Sequence, residues 1–140
     1  MPCFFFAMKK IEHLGIAVSD LHSAEQIFDK LLNGHSYKKE QVTREGVVTS
    51  FYQLGESKIE LLESTNPESA ISKFIDKRGQ GIHHIAFDVA DIVAEMQRLK
   101  EAGFQLLSEV PLEGADNKLI CFLHPKTTCG VLVEICQEKP

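Results

Sequence analysis

The 140-residue chain has no tryptophan, no run of basic residues and no long apolar segment. Its formal net charge is −5, and without a basic patch a nucleic-acid partner is not expected. No stretch approaches the roughly 20 apolar residues of a membrane-spanning helix, so a membrane partner is not expected either. The apolar start of the chain, residues 1–8, lacks the basic region and the length of a signal peptide, and is interpreted as an N-terminal tail.

The spacing of the cysteines also argues against a secreted protein held together by disulfides. None of the four pairs with another in a Cys-x-x-Cys motif, and their spacing is not that of a disulfide framework (Cys3, Cys121, Cys129, Cys136). A reduced protein located in the cytoplasm is therefore expected. The hydrophobic fraction of 44% is enough for a buried core, and the length fits a single domain over residues 9–139.

The second half of the chain repeats the first at an offset of 71 residues. This offset aligns His84 with His13 and Asp91 with Asp20. In each half an apolar strand (11–18 and 82–89) precedes an aspartate that can cap the helix after it, and a glycine (Gly34 or Gly103) follows the helix. Further strand-like segments follow. The sequence therefore predicts two βαβββ modules, residues 9–63 and 81–138, joined by a linker over residues 64–80 that contains a short helix.

Each module also has one glutamate in an equivalent strand, Glu60 in "KIELLE" and Glu134 in "LVEICQ". Because side chains alternate along a strand, His13 shares a face with Gly15 and Ala17, opposite the bulky residues. The same alternation favours His84 over its neighbour His83 for that face. Two imidazoles and two carboxylates on one concave surface have the ligand types of a divalent metal site, and the predicted metal ligands are His13, Glu60, His84 and Glu134.

Several segments of the chain resemble one known family. They are "HLGIAVSDL", "GESKIELLE", "AISKFIDKRGQGIHHIAFDV", "FLHPK" and "GVLVEIC". Paired βαβββ modules with these residues resemble the vicinal oxygen chelate (glyoxalase/bleomycin resistance) superfamily, and within it the methylmalonyl-CoA epimerases. The resemblance implies an α+β fold in which the two modules form a curved mixed sheet around one divalent ion (Co, Mn, Ni or Zn). It also implies a homodimer and an acyl-CoA substrate.

The resemblance further implies a reaction. A metal-stabilised enolate forms when the proton between the carboxylate and the thioester is removed, and inversion needs an acid/base on each side. The family pattern assigns one of these roles to Glu134. The second carboxylate is expected two residues before Gly46, but Arg44 lies there, and Glu45 is the candidate in its place. A one-residue shift reverses the face of a strand side chain unless Gly46 permits a bulge, and Glu40 is the weaker substitute.

Three other activities are compatible with parts of this pattern. A lactoylglutathione lyase would share the ligands and the enolate chemistry. An extradiol dioxygenase would use His13, His84 and Glu134 as an iron triad, although Glu60 as a fourth ligand argues against an open iron site. A non-catalytic module that binds a small molecule is the third alternative, and such modules usually lose the ligands that are kept here.

Overall fold

The structure, a computed structural model, describes residues 7–140. The expected tail over residues 1–8 therefore lies largely outside the described residues, and Met8 is the first residue of β1. The strands are β1 (Met8–Ala17), β2 (Lys38–Val42), β3 (Val47–Leu54), β4 (Ser57–Ser64), β5 (Gly81–Val89), β6 (Leu112–Glu113), β7 (Lys118–Leu123) and β8 (Val133–Glu138). The helices are α1 (Leu21–Leu32), α2 (Ala70–Arg78) and α3 (Ile92–Glu101), with a 3-10 turn at Pro125–Thr127.

The element order contains the repeat that the sequence predicts. The order β1-α1-β2-β3-β4 is followed, after α2, by β5-α3-β6-β7-β8. In each set the first strand is parallel to the last one, β1 to β4 and β5 to β8, while the hairpins between them are antiparallel. The mixed α+β arrangement thus arises twice from the same local pattern. β2 and β6 are the strands that the sequence patterns did not identify individually.

The chain forms two compact units. The first unit comprises residues 13–84, in which the sheet order is β2-β3-β4-β1. The second unit comprises residues 7–12 and 85–140, in which the order is β5-β8-β7-β6. In the sequence the boundary falls between Glu12 and His13 in β1 and between His84 and Ile85 in β5. No helix in the described part of the chain is long and apolar enough to cross a bilayer.

Both long helices begin at the predicted aspartates. The Asp20 carboxylate accepts a hydrogen bond from the Ser23 amide at 3.0 Å, and the Asp91 carboxylate accepts one from the Ala94 amide at 3.1 Å. Each bond satisfies one of the amides that a helix start leaves without a partner, and so sets where the helix begins.

Gly34 follows α1, as the sequence predicts, and its amide donates a hydrogen bond to the Asp29 carbonyl at 3.1 Å. Asn33, and not Gly34, has the left-handed conformation there, with φ 55° and ψ 48°. Asparagine adopts this conformation more readily than other non-glycine residues. At the end of α3 the prediction holds, because Gly103 has a φ of 97°.

Each unit has an apolar core under its helix. In the first unit, Val18, Leu21, Ala24, Tyr52 and Leu61 are buried together. In the second unit, the buried cluster combines α3 with strands β5, β7 and β8 (Val89, Ile92, Met96, Leu99, Cys121, Leu123, Ile135). Cys121 and Cys136 are fully buried free thiols, which agrees with their expected behaviour as small apolar residues. In the first unit this packing leaves the other sheet face for polar side chains.

The assignment of the left-handed conformation to Asn33, at the end of α1, can be tested directly. Asn33→Ala should lower the free energy of unfolding by about 1 kcal/mol, because alanine lacks the short polar side chain that allows asparagine to adopt the left-handed region. Gly34→Ala should change it by less than about 0.5 kcal/mol, since Gly34 has no positive φ and no atom lies within 4 Å of an added Cβ. Urea unfolding of the two variants measures both values. A larger loss in Gly34→Ala than in Asn33→Ala would contradict the assignment.

Candidate metal site

His13 is the central polar residue of the first unit. It lies on β1, opposite Lys58 in the parallel β1–β4 register, and two residues before Gly15, whose register partner is Glu60. Strand alternation places the His13 and Glu60 side chains on the face that does not pack against α1. Both side chains are buried, with exposed fractions of 4% for His13 and 5% for Glu60.

The two nitrogens of the His13 ring have different partners. Nδ1 is 3.1 Å from Oε2 of Glu60, and Nε2 is 2.9 Å from Nε2 of His84. His84 is also buried, with an exposed fraction of 6%. The structure therefore brings together three of the residues that the sequence predicts as ligands, His13, Glu60 and His84, within one unit.

The contact between the two imidazoles has a specific chemical meaning. If Nδ1 of neutral His13 donates its proton to Glu60, its Nε2 presents a lone pair toward Nε2 of His84. Burial, followed by the nearby His13 and His83, lowers the pKa of His84 well below its usual range. The neutral imidazole is the form that binds metals, and its second nitrogen is commonly held by a carboxylate. The donor set therefore fits a divalent metal ion.

The absence of a side chain at Gly15 makes room for the His84 ring. A Cβ atom at this position would lie 2.1 Å from Cε1 and 2.6 Å from Nε2 of His84. These separations are far below van der Waals contact. Gly15 was assigned to the same face as His13 from strand alternation, but its contact with the histidine of the other repeat was not predicted.

His83 has surroundings different from those of His84. Its ring packs edge-on against Phe74 of α2, with the ring centroids 5.0 Å apart. Burial lowers the pKa of His83 to about 4. Its Nδ1 lies 3.0 Å from Nδ1 of His84, so His83 borders the site through its neighbour and is placed to orient the His84 ring.

Glu45 lies in the tight turn over residues 43–46 that connects β2 with β3. Gly46, with a φ of 67°, ends this turn, so the strand alternation that counted against Glu45 does not apply to it. Burial raises the pKa of the Glu45 carboxyl, and the nearby His13 is the strongest influence in the opposite direction. Glu45 is therefore a half-buried carboxyl close to the His13–Glu60–His84 group.

Glu134 belongs to the second unit. It is 5% exposed and lies opposite Ala86 and Phe122 in the registers of β8 with β5 and β7. Burial, followed by the negative charges of Glu134, Glu12 and Asp88, raises the pKa of the Cys136 thiol. Glu12 is buried with an exposed fraction of 3%, and no sequence pattern singled it out.

His124 makes hydrogen bonds within the turn that follows β7. Its Nδ1 accepts a hydrogen bond from the Lys126 amide at 3.0 Å, and its carbonyl accepts one from the Thr127 amide at 2.9 Å. These bonds close the 3-10 turn between β7 and β8.

With this geometry in place, the fold can be assigned to a class. The chain belongs to the Glyoxalase/Bleomycin resistance protein/Dioxygenase superfamily, whose family description matches residues 12–122. This assignment confirms the expected glyoxalase-like α+β fold and the resemblance that the sequence segments indicate.

Several individual proteins of this superfamily are similar to the chain over nearly its whole length. The chain is 40% identical over 130 residues to an ethylmalonyl-CoA/methylmalonyl-CoA epimerase of Cereibacter sphaeroides, covering 91% of this chain and 97% of that protein. The crystal structure of methylmalonyl-CoA epimerase from Mycobacterium tuberculosis superposes with a TM-score of 0.94 at 31% identity, covering 99% and 94% of the two chains. A variant of Streptomyces coelicolor methylmalonyl-CoA epimerase in complex with 2-nitronate-propionyl-CoA gives a TM-score of 0.90 at 31% identity, covering 95% and 99%.

The close packing of the His84 ring against Gly15 predicts how the His13–Glu60–His84 group can be disrupted. Gly15→Val should displace the His84 ring and weaken the binding of a divalent ion at least about tenfold, the loss typical of misplaced ligands. Calorimetric titration with Co²⁺ or Zn²⁺ measures the affinity, and circular dichroism checks the fold. Gly81→Val is the matched control, because it lies on the same strand as His84 with no atom within 4 Å of an added Cβ. Equal affinities for the two variants would refute the steric role of Gly15.

Proposed function

We propose that the protein is a metal-dependent methylmalonyl-CoA epimerase, which interconverts the two epimers of its acyl-CoA substrate. The observation that carries the proposal is the buried His13–Glu60–His84 group in the first unit. Relatives that share this fold at 31–40% identity over nearly the whole chain are epimerases of this substrate class. The group supplies the imidazole and carboxylate donors of a first-row divalent ion such as Co, Mn, Ni or Zn.

The proposed ligands are His13, Glu60, His84 and Glu134. Glu134 is included because the register of the second repeat reproduces that of the first. Glu60 is the register partner of Gly15, two residues after His13, and Glu134 is the register partner of Ala86, two residues after His84. In the first repeat this spacing brings the histidine and the glutamate into contact at 3.1 Å. The same spacing supports Glu134 as the carboxylate that accompanies His84.

The substrate explains why such a site is useful. Methylmalonyl-CoA has a carboxylate and a thioester on one carbon atom, and the C–H between them must lose its proton before the centre can invert. A divalent ion bound in this site supplies Lewis-acid polarisation of the substrate oxygens. Burial of the ligand group excludes water, so charges that develop near it are screened little.

Inversion requires proton transfer on both sides of the α-carbon. We assign one acid/base role to Glu134 and the other to Glu45. One carboxylate removes the α-proton, and the other carboxyl group, in its protonated form, returns a proton to the opposite side of the same carbon. Burial raises the pKa of Glu45, which favours a group that can hold a proton nearer neutral pH. We also propose that the protein is a homodimer and works in the cytoplasm.

The activity can be tested against its nearest alternative. The metal-stripped protein should not epimerise racemic methylmalonyl-CoA, and adding back one divalent ion per chain should restore turnover. The hemithioacetal of methylglyoxal and glutathione, assayed beside it, should not be converted, because a lactoylglutathione lyase shares the chemistry but needs a different pocket. Metal-dependent conversion of the hemithioacetal with no epimerisation would replace the proposed function with that of the lyase.

The two carboxyl groups should differ in an isotope experiment. Glu134→Gln keeps an oxygen that can bind the metal but loses the base, so turnover should fall at least about 10²-fold. Glu45→Gln should also stop epimerisation, while metal binding persists and one enantiomer still exchanges its α-proton with D₂O through Glu134. Mass spectrometry of each enantiomer separately measures the exchange. Wild-type epimerisation in Glu45→Gln would remove Glu45 from the mechanism and direct attention to Glu40.

A further inference from the structure

Thr49 is an anomaly in the first unit. Its side chain is fully buried, and its Oγ1 atom has no hydrogen-bond partner among the residues that the structure describes. Leaving a buried hydroxyl without a partner destabilises a protein, and native proteins contain few such groups. An unpaired hydroxyl of this kind calls for an explanation, and a partner acquired in the functional state is one.

Thr49 projects from the sheet face that carries the His13–Glu60–His84 group. On β3, Val48 and Tyr52 pack toward α1, and Ser50 on the same side donates a hydrogen bond to Glu25 of that helix at 2.9 Å. Thr49 points the other way by strand alternation. In the register of β3 with β4 it lies opposite Leu62, next to the Phe51–Glu60 pair.

One described carboxyl group lies in reach and lacks a hydrogen-bond donor. In the β2–β3 hairpin, Glu40 is opposite Thr49, the Val42–Val47 pair follows, and Glu45 lies in the turn beyond it. The charges of His13 and, more weakly, of Arg44 and Glu40 act on the Glu45 carboxyl, and Glu40 is the cross-strand partner of Thr49. Thr49 is two strand residues, about 7 Å, from Val47, and Glu45 lies two residues before Val47 in the turn. The two side chains can therefore meet when the Glu45 side chain extends along the hairpin.

The two side chains complement each other chemically. The buried hydroxyl of Thr49 needs an acceptor, and the half-buried carboxylate of Glu45 has no hydrogen bond among the described residues. We propose that Thr49 is a positioning residue, which donates a hydrogen bond to the Glu45 carboxylate in the metal-loaded protein and holds it for proton transfer. The inference rests on the proposed function, because it supports the second acid/base of that reaction.

A double-mutant cycle tests the pair. Thr49→Val removes the hydroxyl and keeps the shape of the side chain. It should lower kcat for epimerisation about tenfold, because a hydrogen bond to a charged group is lost. Thr49→Ser, which keeps the hydroxyl, should recover most of that loss. In a Glu45→Gln background, Thr49→Val should have no further effect on the residual rate, since the partner is already absent.

Measurements besides turnover separate this role from a structural one. Thr49→Val should bind the metal with unchanged stoichiometry and melt no lower than the wild type, because its hydroxyl has no partner in the free protein. Solvent exchange through Glu134 should persist. A crystal structure of the metal-loaded protein should place Oγ1 of Thr49 within about 3.2 Å of a Glu45 carboxylate oxygen.

The possible failures are distinguishable. A wild-type protein that epimerises while Thr49→Val does so at the same rate would overturn the inference and leave the function intact. An equal loss in both backgrounds, a loss of bound metal, or a structure in which only water contacts Thr49 would overturn it as well. If the wild-type protein converts neither enantiomer, the proposed function fails, and the crystal structure still decides whether the two side chains pair.

Discussion

The contact between the imidazoles of His13 and His84 is the constraint on which the candidate site depends. Two buried ring nitrogens 2.9 Å apart require either a shared proton or a common cation. Nothing larger than glycine fits at position 15 while the rings keep this arrangement. The parallel pairing of β1 with β4 then brings Glu60 to the other side of the His13 ring. The residue types in these strands are therefore set by the space around one histidine pair as much as by strand propensity.

Strand alternation and helix capping account for most of what the sequence could predict. Alternation assigned His13, Glu60 and His84 to one face, and Asp20 and Asp91 marked the starts of two helices, because both signals act locally along the chain. β2 was not identified, since its residues (KKEQV) are mostly charged and half-exposed. β6 has only two residues, too few for a periodic pattern. Asn33 was passed over in favour of the glycine beside it, although either residue can adopt the conformation.

Other features of the site depend on tertiary contacts that no local pattern encodes. Glu45 was expected to follow strand alternation unless Gly46 permitted a bulge, and it lies in a turn where alternation has no meaning. Glu12 alternates away from His13 and was not considered, yet it is a buried carboxylate among the acids around Cys136. Thr49 was not considered either, and no sequence pattern could show that its buried hydroxyl lacks a partner among the described residues. Each of these properties depends on how closely neighbouring strands cover a side chain.

The two repeats have diverged where the proposed chemistry needs a difference. Glu60 and Glu134 occupy equivalent places, and their antiparallel partners are Phe51 and Phe122. Counting two residues back from these phenylalanines gives Thr49 in one repeat and Ile120 in the other. Ile120 packs in an apolar cluster with Ala86 and Cys136, so the second repeat has no counterpart of the Thr49 hydroxyl. The histidine and the glutamate, which bind the same kind of ion from either repeat, are alike in both. The proposed positioning of Glu45 belongs to one repeat alone, as expected if duplication supplied a symmetric ligand set and later substitution made one side different.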